Sequence, residues 1–462
     1  MPLQRTISPI DDSVYVEREL ATGKAIDEAL DRARKAQREW RHVPVTARAE
    51  ILGRFCDAFE QRRDAVAQEL AWQMGRPVRY GPNEVRGTLE RARHMIAIAP
   101  DALADIHVGP KEGFVRFLRR EPLGVVFTVA AWNYPYLIAV NSVVPALMAG
   151  NVVVLKHSAQ TPLCAETFAA CMREAGLPQG CFQVLHLSHD DTLRVVADPR
   201  VDFVAFTGSV AGGHAIQRAA AERFIGTGLE LGGCDPAYVR HDANLAHAVE
   251  NLVDGAYFNS GQSCCGIQRV YVHEQAYDAF VERWVDLTRK YVLGSPLDTE
   301  TTLGPVVRAS AAEEIRRQLA ASVSLGARSP IAEQEFEASR AGTPYVAPAV
   351  LLDVDHGMPV MRDEIFGPVA GIMKVRSDEE AIALMNDSPF GLTASIWTED
   401  EQAALSIGDE VQTGTWFMNR CDYLDPALAW VGVKDSGRGC TLSSIGYEHL
   451  TRPKSFHLRV RT

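Results

Sequence analysis

Apolar residues return every three or four positions through most of the first hundred residues, and that spacing predicts helices. Ala25, Ala29, Ala33 and Ala36 share one face, with Asp27, Glu28, Asp31 and Arg32 between them. A second series starts near Thr46, passes through Ile51, Leu52, Phe55 and Phe59, and restarts after Arg63. Gly75 and Pro77 end it, and residues 84–98 predict a further helix. The first hundred residues therefore read as helical. The run Gly109-Pro110-Lys111-Glu112-Gly113 then marks a turn between residues 106–108 and 114–117. That short hairpin lies between two larger regions and suits a protruding arm.

From Leu123 the pattern changes to short apolar runs alternating with amphipathic ones. Strands are predicted at 124–130, 152–155, 182–187 and 203–206, and helices at 137–148, 162–175, 191–197 and 209–221. This alternation predicts a doubly wound, mostly parallel sheet that binds ligands at the carboxyl ends of its strands. A second α/β block runs from about 232 to 419. Its strands fall at 269–272, 369–375 and 392–397, and its helices include 274–289 and 311–324. Residues 451–461 read as a terminal strand that Pro453 confines to an edge. No repeat or low-complexity linker separates the blocks, which predicts tight packing.

Composition narrows the class. The chain has 462 residues, enough for about three domains. Its formal charge of -12 argues against nucleic acid as a partner, because phosphate neutralisation wants a basic face. The nine cysteines are odd in number, irregularly spaced and without a CxxC pair. That suggests neither a disulfide framework nor a zinc ribbon, predicts no metal, and points to a reducing, cytoplasmic setting. The first nineteen residues scatter charges among apolar positions, unlike a signal peptide. The most apolar stretch, 122–132, is too short for a bilayer, so no membrane is expected.

Four short stretches carry candidate chemistry. In Phe258-Asn259-Ser260-Gly261-Gln262-Ser263-Cys264-Cys265 a helix is predicted to end at the glycine, leaving Cys264 at the mouth of an α/β unit. A thiolate nucleophile needs such a site, although free cysteines are usually interior and two core cysteines would read the same way. Glu230 stands between Leu229 and Leu231 before Gly232 and Gly233. An apolar setting suits a general base with a raised pKa, and a salt-bridged strand end is the alternative. Asn133, in Trp132-Asn133-Tyr134-Pro135, can donate to a developing oxyanion or simply form a turn. Gly208 and Ser209 follow Phe206-Thr207 at a strand-to-helix junction that suits a phosphate, with Ser209 equally able to cap the helix. The dinucleotide fingerprint G-x-G-x-x-G is absent there, so spacing by itself does not identify NAD.

Taken in order, AWNYP at 131–135, VVLKHSAQTPL at 153–163, FTGSV at 206–210, LELGG at 229–233, GQSC at 261–264, EIFGPV at 364–369 and WVGVKDSGRG at 430–439 resemble the aldehyde dehydrogenase superfamily over nearly the whole chain. The 34-residue separation of Glu230 from Cys264 also fits that family. The resemblance implies an α/β fold of the aldehyde dehydrogenase type. A Rossmann-type coenzyme domain would take 1–104 and 122–231, a catalytic domain 232–439, and a small β oligomerisation element 105–121 and 440–462. It implies oxidation of a small-molecule aldehyde to a carboxylic acid with NAD or NADP. Cys264 would be the nucleophile, passing through a thiohemiacetal and a thioester. Asn133 and the Cys264 backbone N–H would hold the oxyanion, and Glu230 would activate the hydrolytic water. Lys156, Gly208, Ser209, Glu364, Phe366 and Trp132 match the family's cofactor contacts. Tyr134, Asn141, Ser263, Cys265, Asp422, Leu424 and Trp430 fall where it builds its aldehyde tunnel. A homodimer or homotetramer is implied, because relatives extend a neighbour's sheet with the hairpin and terminal strand.

Departures from the family pattern are specific. Ala159 stands where a carboxylate often holds the adenine ribose hydroxyls, which predicts tolerance of NADP. Cys234 and Cys440 stand where lysine and, near Gly-Arg, glutamate are common. Asn141 replaces a frequent tryptophan, predicting a wider or more polar tunnel. Asp422 and Asp425 read as loop caps, or else as attracting a cationic aminoaldehyde. LELGG-Cys-Asp-Pro resembles bacterial succinate-semialdehyde-type members, but no arginine in the motifs is assigned to a distal carboxylate. Three alternatives remain at this stage: a thiol hydrolase, which needs a histidine base near Cys264; a catalytically silent scaffold; and a CoA-acylating dehydrogenase, against which the retained Glu230 argues.

Overall fold

A computed structural model describes residues 2–461. Two six-stranded sheets and one three-stranded sheet organise it. In the first sheet the strands lie in the order Gly437–Arg438, Gly226–Glu230, Phe203–Thr207, Val125–Ala130, Val152–His157 and Phe182–Val184. All neighbours are parallel except Gly437–Arg438, which runs antiparallel to Gly226–Glu230. The central strands VVFTVA and VVVLKH are buried at every position, as a parallel sheet covered by helices on both faces requires.

The second sheet is wholly parallel, in the order Ala349–Leu351, Val369–Val375, Ile267–His273, Asp235–Val239, Thr393–Trp397 and Thr415–Met418. The third sheet sets Thr451–Arg459 against Phe114–Pro122 and the short Ile106–His107. Phe117 and Phe456 stack across it at 4.5 Å between ring centres. The turn expected at 109–113 and the terminal strand expected from Thr451 thus belong to one ribbon.

The helices follow the periodic segments: Gly23–Trp40, Val45–Glu60, Arg63–Met74 and Gly81–Ala102 precede the first sheet. Gly75 closes the third of these in the left-handed conformation at φ 83. The opening segment corrects the expectation of helices throughout the first hundred residues. Leu3–Ile7 and Val14–Glu19 form an antiparallel hairpin turned at Asp12. In its first strand the alternation buries polar rather than apolar side chains. Gln4 and Thr6 point inward and both donate to the Ala159 carbonyl, while Leu3 and Ile7 face outward. A search for alternating apolar residues passes over such a strand.

Candidate active site

The helix Leu245–Tyr257 ends four residues before the glycine expected to close it, and a single tight turn, Phe258–Gly261, follows. Asn259, Ser260 and Gly261 are all left-handed, with φ of 54, 57 and 69. Two non-glycine residues in that region store strain that surrounding bonds must hold. Asn259 donates to the Asn133 and Gln262 carbonyls and accepts from Arg76 Nε, and Ser260 donates to the Gly304 carbonyl. A Cβ on Gly261 would stand 2.0 Å from the Gly367 carbonyl oxygen, so only glycine fits. This wound turn delivers Cys264, half-buried, to a cavity of about 370 Å3.

Glu230 reaches the same cavity from the end of Gly226–Glu230. Its Oε2 accepts from Thr207 Oγ1 at 3.2 Å and its Oε1 from Thr441 Oγ1 at 2.7 Å. Burial raises its pKa, and the two threonines and the Arg91 charge only partly offset that. Among the described residues Glu230 has no ion-pair partner, so the salt-bridge alternative is set aside. Thr441 was outside the motifs read from the sequence. It follows Cys440, the position marked as a departure.

Asn133 is buried just behind the cavity wall. Its side-chain amide donates to the Gln262 carbonyl at 3.1 Å, and its own carbonyl accepts from Arg76 Nη2 at 2.6 Å and from Asn259. One amide hydrogen is therefore used on the chain leading to Cys264, and the other remains available. Arg76 forms a buried ion pair with Glu84. Glu84 Oε1 also accepts from the backbone N–H of Tyr136 and Leu137, two free amides at the start of the helix Pro135–Met148. None of this support was read from the sequence, because it depends on four separate segments meeting.

Tyr134, Asn141, Asp422 and Trp430 line the cavity with Cys264 and Glu230. Asp422 and Asp425 do not behave alike. Asp425 is the loop cap, accepting from Ala427 N at 2.9 Å. Asp422 instead accepts from Cys265 Sγ at 2.9 Å and Ser263 Oγ at 3.2 Å, and burial pushes it up to about 7. Arg91, which no motif pointed to, also lines the cavity. Its Nη1 donates to the Leu137 carbonyl and to Asn141 Oδ1. Among the described residues no histidine lines the cavity, so the thiol-hydrolase alternative lacks its base.

The six residues matched to cofactor contacts lie outside this lining. Trp132 and Phe366 meet edge to face at 5.6 Å. Glu364 is largely buried, accepts from Gly233 N at 3.1 Å, and is pushed up to about 7 by burial. Gly232 leaves room for that carboxylate, since a Cβ there would stand 2.3 Å from Glu364 Oε2. A buried carboxylate with a single protein donor has acceptor capacity left, which suits vicinal ribose hydroxyls. Lys156 is buried at the end of Val152–His157, and burial lowers its pKa. Gly208 N donates to the Glu230 carbonyl, and Ser209 Oγ accepts from Gly212 N as the cap of Val210–Ala220. The residues present thus fit a nicotinamide dinucleotide. All nine cysteines are free, and no metal-holding group of side chains occurs among the described residues. Among the described residues no helix is long and apolar enough to cross a membrane.

The aldehyde dehydrogenase family model matches residues 3–456. An aldehyde dehydrogenase from Paenarthrobacter nicotinovorans is 35% identical over 462 residues, covering 97% of this chain and 98% of its own. An NADP(+) succinate-semialdehyde dehydrogenase from Mycolicibacterium paratuberculosis is 33% identical, covering 98% and 96%. A succinic semialdehyde dehydrogenase from Streptococcus pyogenes, solved in complex with NADP+ as the cofactor, superposes with a TM-score of 0.94 at 29% identity, covering 99% of this chain and 100% of that one. Sequence and fold agree over essentially the full length: this chain belongs to the aldehyde dehydrogenase family and is an NAD(P)-dependent oxidoreductase.

Proposed function

We propose that the protein oxidises an aldehyde to a carboxylic acid by covalent catalysis at Cys264. The observation that carries this reading is the convergence of Cys264 and Glu230, from separate sheets' connections, on one cavity backed by the Asn133 amide. The Cys264 sulfur adds to the aldehyde carbon and gives a thiohemiacetal. The free Asn133 amide hydrogen and the Cys264 backbone N–H receive the charge that develops on oxygen. NAD or NADP, when bound, supplies the hydride acceptor that converts this adduct to a thioester. Glu230 then takes a proton from water, which attacks the thioester carbon and releases the acid with the Cys264 thiol.

Lys156 and the Gly208–Ser209 turn would hold the adenosine and pyrophosphate, Glu364 the nicotinamide ribose, and Trp132 and Phe366 the wall beside the ring. The first sheet with residues 1–104 and 122–231 would form the coenzyme domain, residues 232–439 the catalytic domain, and 105–121 with 440–462 the assembly element. Ala159 brings no carboxylate to the adenine ribose, and relatives named for NADP support acceptance of the 2′-phosphate. A large kcat/KM preference for NAD would remove that reading.

Absorbance of the reduced nicotinamide, read with either cofactor and a panel of aliphatic, aromatic, amino and semialdehyde substrates, tests the activity. Turnover with at least one aldehyde is expected, and none in Cys264→Ala. Undiminished turnover in that variant would overturn the assignment of the nucleophile.

A further inference from the structure

We propose that Arg91 is the substrate-selecting residue of this cavity and that the aldehyde it selects carries an anionic group, a carboxylate, at the end away from the carbonyl; this rests on the aldehyde oxidation proposed above. Arg91 lies on the helix Gly81–Ala102, two turns beyond Glu84. Glu84 is already committed to Arg76 and to the amides of Tyr136 and Leu137. Among the described residues Arg91 has no carboxylate in ion-pair contact. Its contacts are the Leu137 carbonyl at 3.1 Å and Asn141 Oδ1 at 3.2 Å, both taken by Nη1.

That leaves Nε and Nη2 with no protein acceptor among the described residues. These two nitrogens form the side-on fork of a guanidinium, which matches the two oxygens of a carboxylate. Glu84 and Glu230 act on this guanidinium only from a distance, a desolvated guanidinium with no carboxylate in contact is costly, and an anionic ligand reduces the cost. Burial lowers the pKa of Arg91, in keeping with a missing partner. Its two protein contacts also pin the fork, so little side-chain freedom is lost when a ligand binds.

The acidic groups around the same cavity do not favour a cationic substrate. Asp422 accepts from both Cys265 and Ser263 and is pushed up to about 7. Glu90 accepts from the Tyr423 hydroxyl at 2.8 Å. Asp254 is raised by burial. Burial thus shifts Asp422, Asp254 and Glu230 toward their protonated forms, Glu90 stands exposed at the rim, and Arg91 is the cation inside the cavity with no carboxylate in contact. Arg86, exposed at the rim, adds a second cation where an anion would approach. Asn141, by replacing a bulkier tunnel wall, gives Arg91 both its space and its anchor.

The test compares 4-oxobutanoate with its methyl ester, which differ in the distal charge and an ester methyl. The wild-type protein is expected to prefer the acid. In Arg91→Gln the ratio of kcat/KM for acid over ester should fall about 100-fold, mostly through KM, as expected when one partner of a desolvated charge pair is truncated. Arg91→Lys should restore part of it. An unchanged ratio in Arg91→Gln, whatever the absolute loss, would reduce Arg91 to a structural role and overturn the inference. If the variants do not fold, the wild-type protein decides: succinate should compete with the ester far better than succinamide does, and equal inhibition would overturn the inference. If no aldehyde reduces either cofactor, the oxidation reading fails by itself. Calorimetric binding of succinate against succinamide to the same protein then still decides the anion site.

Discussion

Glu230 rests with both carboxylate oxygens already accepting hydrogen bonds from threonines. Its pKa is raised by burial and lowered by Thr441, Thr207 and the Arg91 charge. Only the ionised form can take a proton from water, so deacylation rises with pH through that raised value. The acid limb of kcat is therefore expected above the ordinary carboxylate range. Thr441→Val removes a bond that favours the charged form, and should move the limb to still higher pH in a stopped-flow or steady-state profile. Glu230→Gln should allow a first burst of reduced nicotinamide and then stall. Normal turnover in that variant would show that another group is the base. At this scale the residues proposed to react were legible in the sequence, because Cys264, Glu230 and Asn133 sit in short continuous motifs. The sequence did not announce Arg91, Thr441 or the role of Asp422. Their roles depend on which side chains face each other after folding, and neighbouring residues carry no record of that.

The helices and strands were legible wherever burial follows apolar periodicity, as in the wholly buried Val125–Ala130. The opening hairpin was not, since the inward side chains of its first strand are polar and are satisfied by a carbonyl more than 150 residues away. The same long reach governs the segment that presents Asn133. Arg76 joins the end of one helix to the start of another through Glu84, and holds the Asn133 carbonyl and the Asn259 side chain at once. Arg76→Met leaves Glu84 without its charge partner, and should cost about 3–5 kcal/mol in a denaturant titration. It should also lower kcat more than it raises KM, because Asn133 loses an anchor. Asp235 links two strands of the second sheet by accepting from Thr393 N and Thr393 Oγ1. Burial pushes it up to about 8, against 3.8 for the free group. Between those values the folded protein holds a proton that the unfolded chain has released, so Asp235 makes stability fall as pH rises. Asp235→Asn keeps an acceptor oxygen and removes the titration. Its denaturation midpoint should gain on the wild type from about pH 5 to pH 8.

At the scale of the molecule, the two six-stranded sheets present the residues proposed to react, and the ribbon lies outside the cavity lining. Thr451–Arg459 pairs with Phe114–Pro122 along one side, leaving its other side as an open edge among the described residues. Thr415–Met418 ends the second sheet with an open edge of its own. Open edges of this kind are templates for strand addition between chains. Ile106, Val115, Leu458 and Val460 are exposed on the ribbon, where an assembled protein would cover them. Leu458→Asp with Val460→Asp should therefore lower the mass measured by light scattering at micromolar concentration. An unchanged mass would move the assembly surface elsewhere. The ribbon could be read from Gly109–Gly113 and the closing alternation. The resemblance grouped it with the terminal strand, but the register of that pairing, from Pro122 with Thr451 to Phe114 with Arg459, could not be read, because register between distant strands is set by the packed whole.

The Thr441–Glu230 bond spans 211 residues of sequence. The strand that carries Glu230 likewise takes one of its two neighbours, Gly437–Arg438, from the late part of the chain. A ribosome completes the first sheet's inner strands and the Cys264 turn long before it makes either of these. On the roles proposed above, the growing polypeptide would carry its nucleophilic sulfur well before the Glu230 carboxylate is seated, and turnover would wait on the late segment that holds Thr441.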